Sequence, residues 1–184
     1  DHLGNDLFAL RADKVIPFSM LYHTNHSEFF LLKRDGKFGI FNARTQRPAN
    51  FIYDSLHIVS VFDNELLAIY EGKTGVIDIY ENRIVPFAYE AVSKTLCHTA
   101  GDGYFVKQAK WGYYHLYDGI MIPCRYDNFL HRCNAYGQFY QQDGKWGMVN
   151  YEGENRIPFR YDTIGLSSNS NLIKVMINDR WGVV

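Results

Sequence analysis

Apolar residues in this chain come in short runs that are separated by polar or glycine-containing turns. Runs such as 29–32, 66–69 and 172–177 consist mostly of Leu, Ile, Phe and Val. No run shows the 3.6-residue apolar period of a helix, and no helix start and stop signals flank one. The pattern therefore predicts an all-β chain with negligible helix.

Two-residue turns lie between these runs. Asp35-Gly36 and Asp143-Gly144 each separate two strand-like runs, which favours a hairpin because both turn residues tolerate positive φ. Each repeated segment reads as at least three short antiparallel strands, and a fourth is predicted to follow, for example at 56–62 or 163–166. The run 7–10 reads as a further strand and 167–171 as a loop.

A short motif recurs along the chain. It reads Lys110-Trp111-Gly112, Lys145-Trp146-Gly147 and Arg180-Trp181-Gly182, and in weaker form Lys37-Phe38-Gly39 and Lys73-Thr74-Gly75. Its glycines follow one another at 35 to 37 residues, a spacing typical of repeat architectures. We predict one repeat domain over 1–184, with units near 7–36, 37–72, 73–109, 110–144 and 145–184.

The residue types of the motif indicate packing roles. Trp111, Trp146 and Trp181 are predicted to pack in the core and to tie each unit to the next, since stacked repeats need such contacts. The alternative is that the indoles form a platform for a ligand. Each glycine that follows is predicted to lie against a neighbouring ring or a bulge that a Cβ would block.

Proline recurs in phase with this motif. The five prolines are Pro17, Pro48, Pro86, Pro123 and Pro158. Because proline lacks the N–H that a central strand donates, it is predicted to lie at an edge or a bend, once per unit. On this alignment Val15-Ile16-Pro17-Phe18 is the second half of a first repeat.

Tyr-Asp pairs close several units, at Tyr53-Asp54, Tyr126-Asp127 and Tyr161-Asp162. We interpret the Asp as a hydrogen-bond acceptor for a turn backbone. The alternative is a shallow sugar site in each unit, which requires the Tyr and Asp side chains to be exposed together.

Composition agrees with β structure and excludes several classes. The 184 residues include 47% apolar and 16% aromatic residues, and aromatic residues suit pleated, half-buried surfaces. A formal charge of -1 gives no net field for nucleic acid, so we expect no nucleic-acid partner. No apolar run approaches the roughly 18 residues of a membrane span. Three cysteines without a CxxC spacing predict buried thiols rather than a disulfide framework.

Reactive side chains do not gather into a known motif. His23 and His26 lie three apart without a Cys or carboxylate at zinc-like spacing. Cys97 and His98 are adjacent, and adjacent strand residues point to opposite faces. No nucleophile elbow, phosphate loop or dinucleotide fingerprint occurs. We therefore expect no metal, no cofactor, no catalytic residue and no enzymatic activity.

These motifs resemble the WG-repeat family, also called KWG repeats, which is found mainly in bacteria. Asp143-Gly144-Lys145-Trp146-Gly147-Met148-Val149 and Ile157-Pro158-Phe159-Arg160-Tyr161-Asp162 match the family pattern well. The second and third copies depart from it at Phe38 and Thr74. The resemblance implies an all-β repeat scaffold and binding or assembly roles, and it implies no reaction, cofactor or catalytic residue.

The repeats could form either a closed ring or an open stack. The ends of the chain supply complementary parts of one unit, which favours a propeller-like closed ring. Against this, about 35 residues is short for a four-stranded blade, since WD-type blades have roughly 40 to 45. An open β-solenoid or curved meander is the alternative. Val183-Val184 would pair with the strand at 7–10, or the parent protein continues with further repeats.

The favoured function is a non-catalytic repeat scaffold for protein–protein interaction. The partner would be another protein or another domain of the same parent chain. The alternative is a lectin-like module that binds a glycan through shallow aromatic and Asp sites.

Overall fold

The fold is taken from a computed structural model of the chain. The structure describes residues 12–18, 28–60, 64–94, 103–116, 119–134, 136–166 and 172–184. The predicted strand at 7–10, the predicted loop at 167–171, and His23, His26, Cys97 and His98 lie outside these residues. The chain divides into two compact units, Asp1–Tyr89 and Glu90–Val184.

The described residues form eighteen β-strands, which confirms the all-β prediction. All strand pairs are antiparallel, in five sheets of three or four strands. In the part of the chain that is described, no helix could cross a membrane.

The first compact unit holds two sheets. The strands of the first sheet are β1 (Lys14–Pro17), β2 (Phe29–Arg34) and β3 (Lys37–Asn42). Those of the second sheet are β4 (Ser55–Ser60), β5 (Glu65–Tyr70), β6 (Lys73–Asp78) and β7 (Arg83–Tyr89). Residues 47–53 lie beside β3 and pair with it only at two isolated bridges, Asn42 with Arg47 and Phe38 with Tyr53.

The second compact unit holds three sheets. The strands of the third sheet are β8 (Ala91–Lys94), β9 (Gly103–Gln108), β10 (Lys110–His115) and β11 (Gly119–Tyr126). Those of the fourth are β12 (Asn128–Asn134), β13 (Gly137–Gln142), β14 (Lys145–Val149) and β15 (Asn155–Tyr161). Those of the fifth are β16 (Thr163–Leu166), β17 (Ile173–Ile177) and β18 (Arg180–Val183).

Every sheet is a meander whose strands neighbour one another in chain order. A single acidic residue joins consecutive sheets at three places, Glu90, Asp127 and Asp162. Such short connections fit four strands into a repeat of 35 to 37 residues, so repeat length does not argue against four-stranded units. The predicted unit boundaries fall in the hairpin turns between second and third strands, whereas the sheets begin just after the acidic residue.

The hairpin turns have the predicted backbone conformation. Asp35 and Gly36 have φ of 50° and 78°, and Asp143 and Gly144 have 51° and 75°. In the last sheet Asn178 and Asp179 adopt φ of 50° and 58° without a glycine, because Asn and Asp tolerate the left-handed region better than other side chains. The sequence pattern did not identify this turn.

Apolar cores lie between successive sheets within each compact unit. In the first, Phe29, Leu31, Leu56 and Leu66 bring the first and second sheets together. In the second, one cluster around Phe105, Tyr126 and Tyr140 joins the third and fourth sheets. Another joins the fourth and fifth sheets through residues that are almost fully buried, namely Phe139, Met148, Tyr161, Ile164 and Val175.

The alignment of Pro17 with the later prolines is wrong. β1 pairs with β2 as the first strand of its sheet, with Pro17 opposite Phe30, just as β16 pairs with β17. The register is fixed instead by Asp13, whose N–H donates to the Lys33 carbonyl at 2.7 Å. The segment Ile16-Pro17-Phe18 resembles Ile157-Pro158-Phe159 in sequence. The position of a strand in a sheet, however, is set by its backbone pairing and not by three similar side chains.

Candidate functional site

Proline lies on the outer edge of the complete sheets. Pro86, Pro123 and Pro158 belong to β7, β11 and β15, which are edge strands. Beside each proline the pairing register shifts, as between Trp146 opposite Tyr161 and Met148 opposite Ile157. Pro48 lies outside the named strands, in the segment beside β3. A bulged edge strand thus follows each of the three central Lys-x-Gly motifs.

The motif glycine faces this bulge. A Cβ added to Gly147 would lie 2.7 Å from the Ile157 carbonyl oxygen and 2.9 Å from the Phe159 ring. Gly39, Gly75 and Gly112 would meet carbonyl oxygens at 2.6, 2.7 and 2.4 Å. Gly182 has nothing within 4 Å of the same point. The glycine is therefore needed where a fourth segment passes beside it.

The aromatic residue of the motif packs towards the following sheet. Trp111 is half-buried, with its ring centroid 4.7 Å from that of Phe129 on β12. Trp146 packs against the core between the fourth and fifth sheets, and Phe38 against that between the first and second. Trp181 departs from the expected core position, because its side chain is 62% exposed.

The tyrosines of the Tyr-Asp pairs are buried in the cores between sheets. Tyr53, Tyr126 and Tyr161 are each less than 5% exposed. Tyr126 stacks on Tyr140 with centroids 4.3 Å apart and on Phe159 at 5.5 Å. These rings carry the contact from the last strand of one sheet to the next sheet.

The aspartates of these pairs hold two elements together, an arrangement we call the Asp clasp. The carboxylate of Asp162 accepts hydrogen bonds from the Lys145 ammonium on β14 and from the Asn178 N–H in the next hairpin, the latter at 2.8 Å. Asp127 accepts from Lys110 at 2.9 Å and from the Asp143 N–H at 2.7 Å. Asp54 likewise accepts from Lys37 and from the Gly72 N–H.

The clasps change the acidity of their carboxyl groups. The lysine bond and then the turn N–H hold the pKa of Asp54, Asp127 and Asp162 below the ordinary value of 3.8. These aspartates are thus ionised acceptors that are already engaged. Since the tyrosines are buried and the aspartates bind turns, the pairs give no support to a sugar site.

The sequence did not reveal two further acidic residues that accept a hydrogen bond from a hairpin turn as the clasp aspartates do. Asp13 accepts the Asp35 N–H at 2.9 Å, and Glu90 accepts the Ala109 N–H at 3.1 Å. The signal for Glu90 was present, because Tyr89-Glu90 stands in phase with the Tyr-Asp pairs. Asp13 is preceded by Ala12 rather than by Tyr. Only the pairing of β1 with β2 shows that Asp13, like the other acidic residues, stands just before the first strand of a sheet.

The fifth sheet leaves one edge open. Within the compact unit Glu90–Val184, no described strand pairs with the outer side of β18. Ile173 and Val184 exchange backbone hydrogen bonds at 2.9 and 3.0 Å. Because backbone groups alternate in direction along a strand, those of Trp181 and Val183 point away from β17. Trp181, Val183 and Val184 are 62%, 61% and 46% exposed.

A cavity of about 540 Å³ lies at this edge. Tyr161, Val175 and Ile177 form its apolar side, and Arg180, Trp181 and Gly182 its β18 side. In the fourth sheet the corresponding space over Gly147 contains the ring of Phe159, which lies on Tyr126. The open edge, defined by Tyr161 and residues 180–184, is therefore the candidate functional site.

Comparison with known proteins agrees with this repeat geometry. The family model described as WG containing repeat matches residues 146–181. The chain therefore contains a WG repeat. Over these residues the match confirms the resemblance noted in the sequence. It runs from Trp146 to Trp181, one full period that crosses from the fourth sheet into the fifth.

No curated protein matches the chain significantly. Among solved structures, the computationally designed Ika8 protein is similar, with 12% identity and a TM-score of 0.40. The alignment covers 85% of this chain and 55% of the designed chain. The chain thus spans about half the length of that protein.

A smaller cleft of about 250 Å³ lies between the first two sheets. Glu81 lines it, with one carboxylate oxygen 3.5 Å from Arg47. Burial raises the pKa of Glu81, although Arg47 opposes the shift. Burial also raises the pKa of Tyr53 to about 12, and the nearby Glu81 adds to the shift. Among the described residues no group of His, Cys, Asp and Glu could hold a metal ion.

Proposed function

We propose that this WG-repeat chain is a non-catalytic scaffold that binds a protein, either a separate partner or another domain of the same parent chain. The observation that carries the proposal is the open edge of the fifth sheet. An exposed indole, two exposed valines and outward backbone groups lie together there. Such edges recruit strands or apolar segments of other chains.

The use of the recurrent polar side chains supports a scaffold rather than an enzyme. The Asp clasps engage their carboxylates with lysines and turn N–H groups. The recurrent arginines are used similarly, because Arg125 and Arg160 donate to the hydroxyls of Tyr126 and Tyr161 at 2.9 to 3.1 Å. The repeats thus use their polar groups to fix sheet on sheet.

The test compares the wild-type chain with Trp181→Ala as bait in a lysate, with Tyr136→Ala as control. Tyr136 is 60% exposed, lies in the same compact unit and does not line the cavity at the open edge. We expect a partner that is retained by the wild type and the control and lost with Trp181→Ala. That partner is then purified and titrated against all three chains. The proposal would be contradicted by partners whose binding is unchanged by Trp181→Ala. Binding to a glycan array without any protein partner would also contradict it.

Ring closure is a second part of the proposal and rests on the sequence. The recurrence of similar units in phase along the chain favours a propeller-like closed ring over an open β-solenoid or meander. Because β1 is the first strand of its sheet, it does not supply the fourth strand that the fifth sheet lacks. Small-angle scattering of the chain distinguishes the two. We expect the profile of a compact disc, and a maximum dimension that fits only an extended stack would contradict closure.

A further inference from the structure

The cleft between the first two sheets lies between two turns, one from each sheet. Its volume is about 250 Å³, and all its lining residues fall within 29–81. One wall is the turn at residues 42–47 of the first sheet, and the other is the turn at residues 78–82 of the second. In each turn a side-chain oxygen accepts two backbone N–H groups, Asn42 Oδ1 at 2.9 and 3.1 Å and Asp78 Oδ1 at 2.8 Å. These hydrogen bonds fix both walls.

One part of the lining is apolar and comes from both sheets. Phe29, Ile40 and Ile79 line the cleft and belong to the core between the two sheets. The ring of Tyr80 is exposed to solvent and lies 5.4 Å from the ring of Phe29, almost perpendicular to it. Apolar and aromatic side chains with a few polar groups among them are typical of small-molecule sites.

The other part of the lining is charged and consists of Arg44, Arg47 and Glu81. Arg47 lies 3.5 Å from the Glu81 carboxylate and donates to the Tyr80 carbonyl oxygen at 3.3 Å. Arg44 is exposed. In the described part of the chain no carboxylate pairs with the Arg44 guanidinium. The cleft therefore offers two positive groups, one of them unengaged, and one negative group.

Glu81 occupies a backbone position that the fourth sheet gives to glycine. Its φ is 67°, and its N–H donates to the Asp78 carbonyl oxygen at 3.0 Å. Gly153 has φ of 86° and donates in the same way to the Asn150 carbonyl oxygen at 3.1 Å. A side chain is strained in this left-handed region, and only 10% of the Glu81 side chain is exposed. Strained residues that face a cleft are typical of binding sites.

The charges of the lining select the class of ligand. A ligand with only a carboxylate would bring negative charge beside Glu81, and a ligand with only an ammonium group would lie beside two guanidinium groups. A zwitterion presents each of its charges to an opposite charge. The occupant is also small, because the volume of the cleft is below the roughly 300–1,000 Å³ of sites for drug-sized ligands.

We propose that this cleft binds a free α-amino acid with an apolar side chain. The ligand carboxylate lies against the guanidinium groups of Arg44 and Arg47, and the ligand ammonium group binds the carboxylate of Glu81. The apolar side chain packs between Phe29 and Ile79, which bring together the two sheets. The site goes beyond the proposed scaffold function and does not depend on it.

The ligand is tested by calorimetric titration of the full 184-residue chain. The probes are L-leucine, L-valine and L-phenylalanine, and we expect saturable binding of at least one of them. For the probe that binds, the N-acetyl derivative lacks the ammonium group and the amide lacks the carboxylate. Each derivative, and glycine, should bind at least tenfold more weakly. No binding of any probe, or equal binding of a derivative, would overturn the proposal.

Two variants test the charged groups. Arg44→Gln removes an exposed guanidinium and should leave the melting temperature unchanged, whereas amino-acid binding should weaken at least tenfold. Lys73→Gln removes one positive charge at an exposed position that does not line the cleft, and it should bind as the wild type does. Unchanged binding by Arg44→Gln, or an equal loss with Lys73→Gln, would overturn the proposal.

Glu81→Gly separates a binding role from a structural one. Because the fourth sheet has Gly153 at this place, the variant should keep the melting temperature of the wild type while amino-acid binding weakens at least tenfold. Unchanged binding would overturn the proposal, whatever the melting temperature. Neither result bears on the scaffold function, which is tested by Trp181→Ala in the other compact unit.

Discussion

At the scale of single residues, identical motif positions have different energetic roles. Gly147 and Gly182 both follow a tryptophan in a third strand. Only Gly147 lies under a bulged neighbour, with atoms closer than 3 Å to a Cβ position. The requirement for glycine therefore comes from the neighbouring strand and not from the glycine's own backbone.

Substitution of each glycine by alanine should change the free energy of unfolding at Gly147 and leave it nearly unchanged at Gly182. Gly147→Ala must push Ile157 and Phe159 outward, and overpacking of this kind costs about 1–3 kcal/mol. Gly182→Ala should change the free energy of unfolding by less than about 0.5 kcal/mol. Urea titrations followed by circular dichroism measure both. Equal effects of the two substitutions would contradict the assignment.

The Asp clasp is also a residue-scale device, and its contribution depends on pH. The pKa of Asp162 is lowered in the folded chain from 3.8. A carboxyl group with a depressed folded pKa stabilises the fold above its unfolded pKa, and this is lost as pH falls through the folded value. The clasp should therefore act at neutral pH and disappear in acid.

Asp162→Asn tests this dependence. We expect a lower melting temperature than the wild type at pH 7, because the ion pair with Lys145 is lost. The difference should shrink as pH falls from 3.8 through the lower folded pKa of Asp162, because the wild-type carboxyl group then also becomes neutral. Glu152→Ala, an exposed position in the same compact unit, serves as control. A difference that stays constant down to pH 2 would show that the charge of Asp162 contributes nothing.

At the scale of elements, the third strand of each repeat is stabilised from both sides. β14 pairs with β13 and β15, and its Trp146 packs against the core shared with the next sheet. β18 pairs with β17 alone among the described strands, and its Trp181 is mostly exposed. The two strands have the same motif, yet only one is an interior element.

Alanine at the two tryptophans should show this difference. Trp146→Ala removes a half-buried indole from a packed core, at a cost of about 2–4 kcal/mol, somewhat below the range for fully buried aromatic residues. Trp181→Ala should cost less than about 0.5 kcal/mol. Thermal and urea unfolding of both variants give the comparison. A large loss of stability at Trp181 would mean that its side chain is covered in solution.

At the scale of the whole molecule, stability is shared between neighbouring sheets. The core around Tyr161 takes residues from β14 and β15 on one side and from β16 and β17 on the other. Among the described residues each sheet shares an apolar core with a neighbouring sheet of its own compact unit, as expected for a repeat protein. Removing one sheet should therefore affect its neighbour.

A chain that ends after residue 166 tests this sharing. It lacks β17 and β18, so Tyr161 and Ile164 lose the cover of Ile173 and Val175. We expect stronger binding of a dye specific for exposed apolar surface and a red shift of Trp146 emission. The Trp181→Ala variant of the full chain provides the reference, since Trp181 is absent from the truncated chain. Unchanged dye binding would show that the fourth sheet is stable alone.

The sequence by itself determined the repeat, most of the strands and the Asp-Gly turns. Apolar runs broken by Asp-Gly turns predict hairpins because strand alternation and positive φ are local properties of a few residues. The motif at Lys145-Trp146-Gly147 and the Tyr-Asp pairs identified the period for the same reason. The misplacement of Pro17 shows the limit of local similarity, since only pairing with β2 fixed its strand.

Tertiary structure decided which copy of a motif is covered. The sequence predicted core positions for all three tryptophans, whereas Trp181 is exposed because no described strand lies on the outer side of β18. The roles of Asp13 and Glu90 likewise follow from turns 19 to 22 residues away. The burial of a side chain and the formation of an Asp clasp both depend on contacts between segments that are distant in the sequence. A short stretch of sequence therefore does not reveal them.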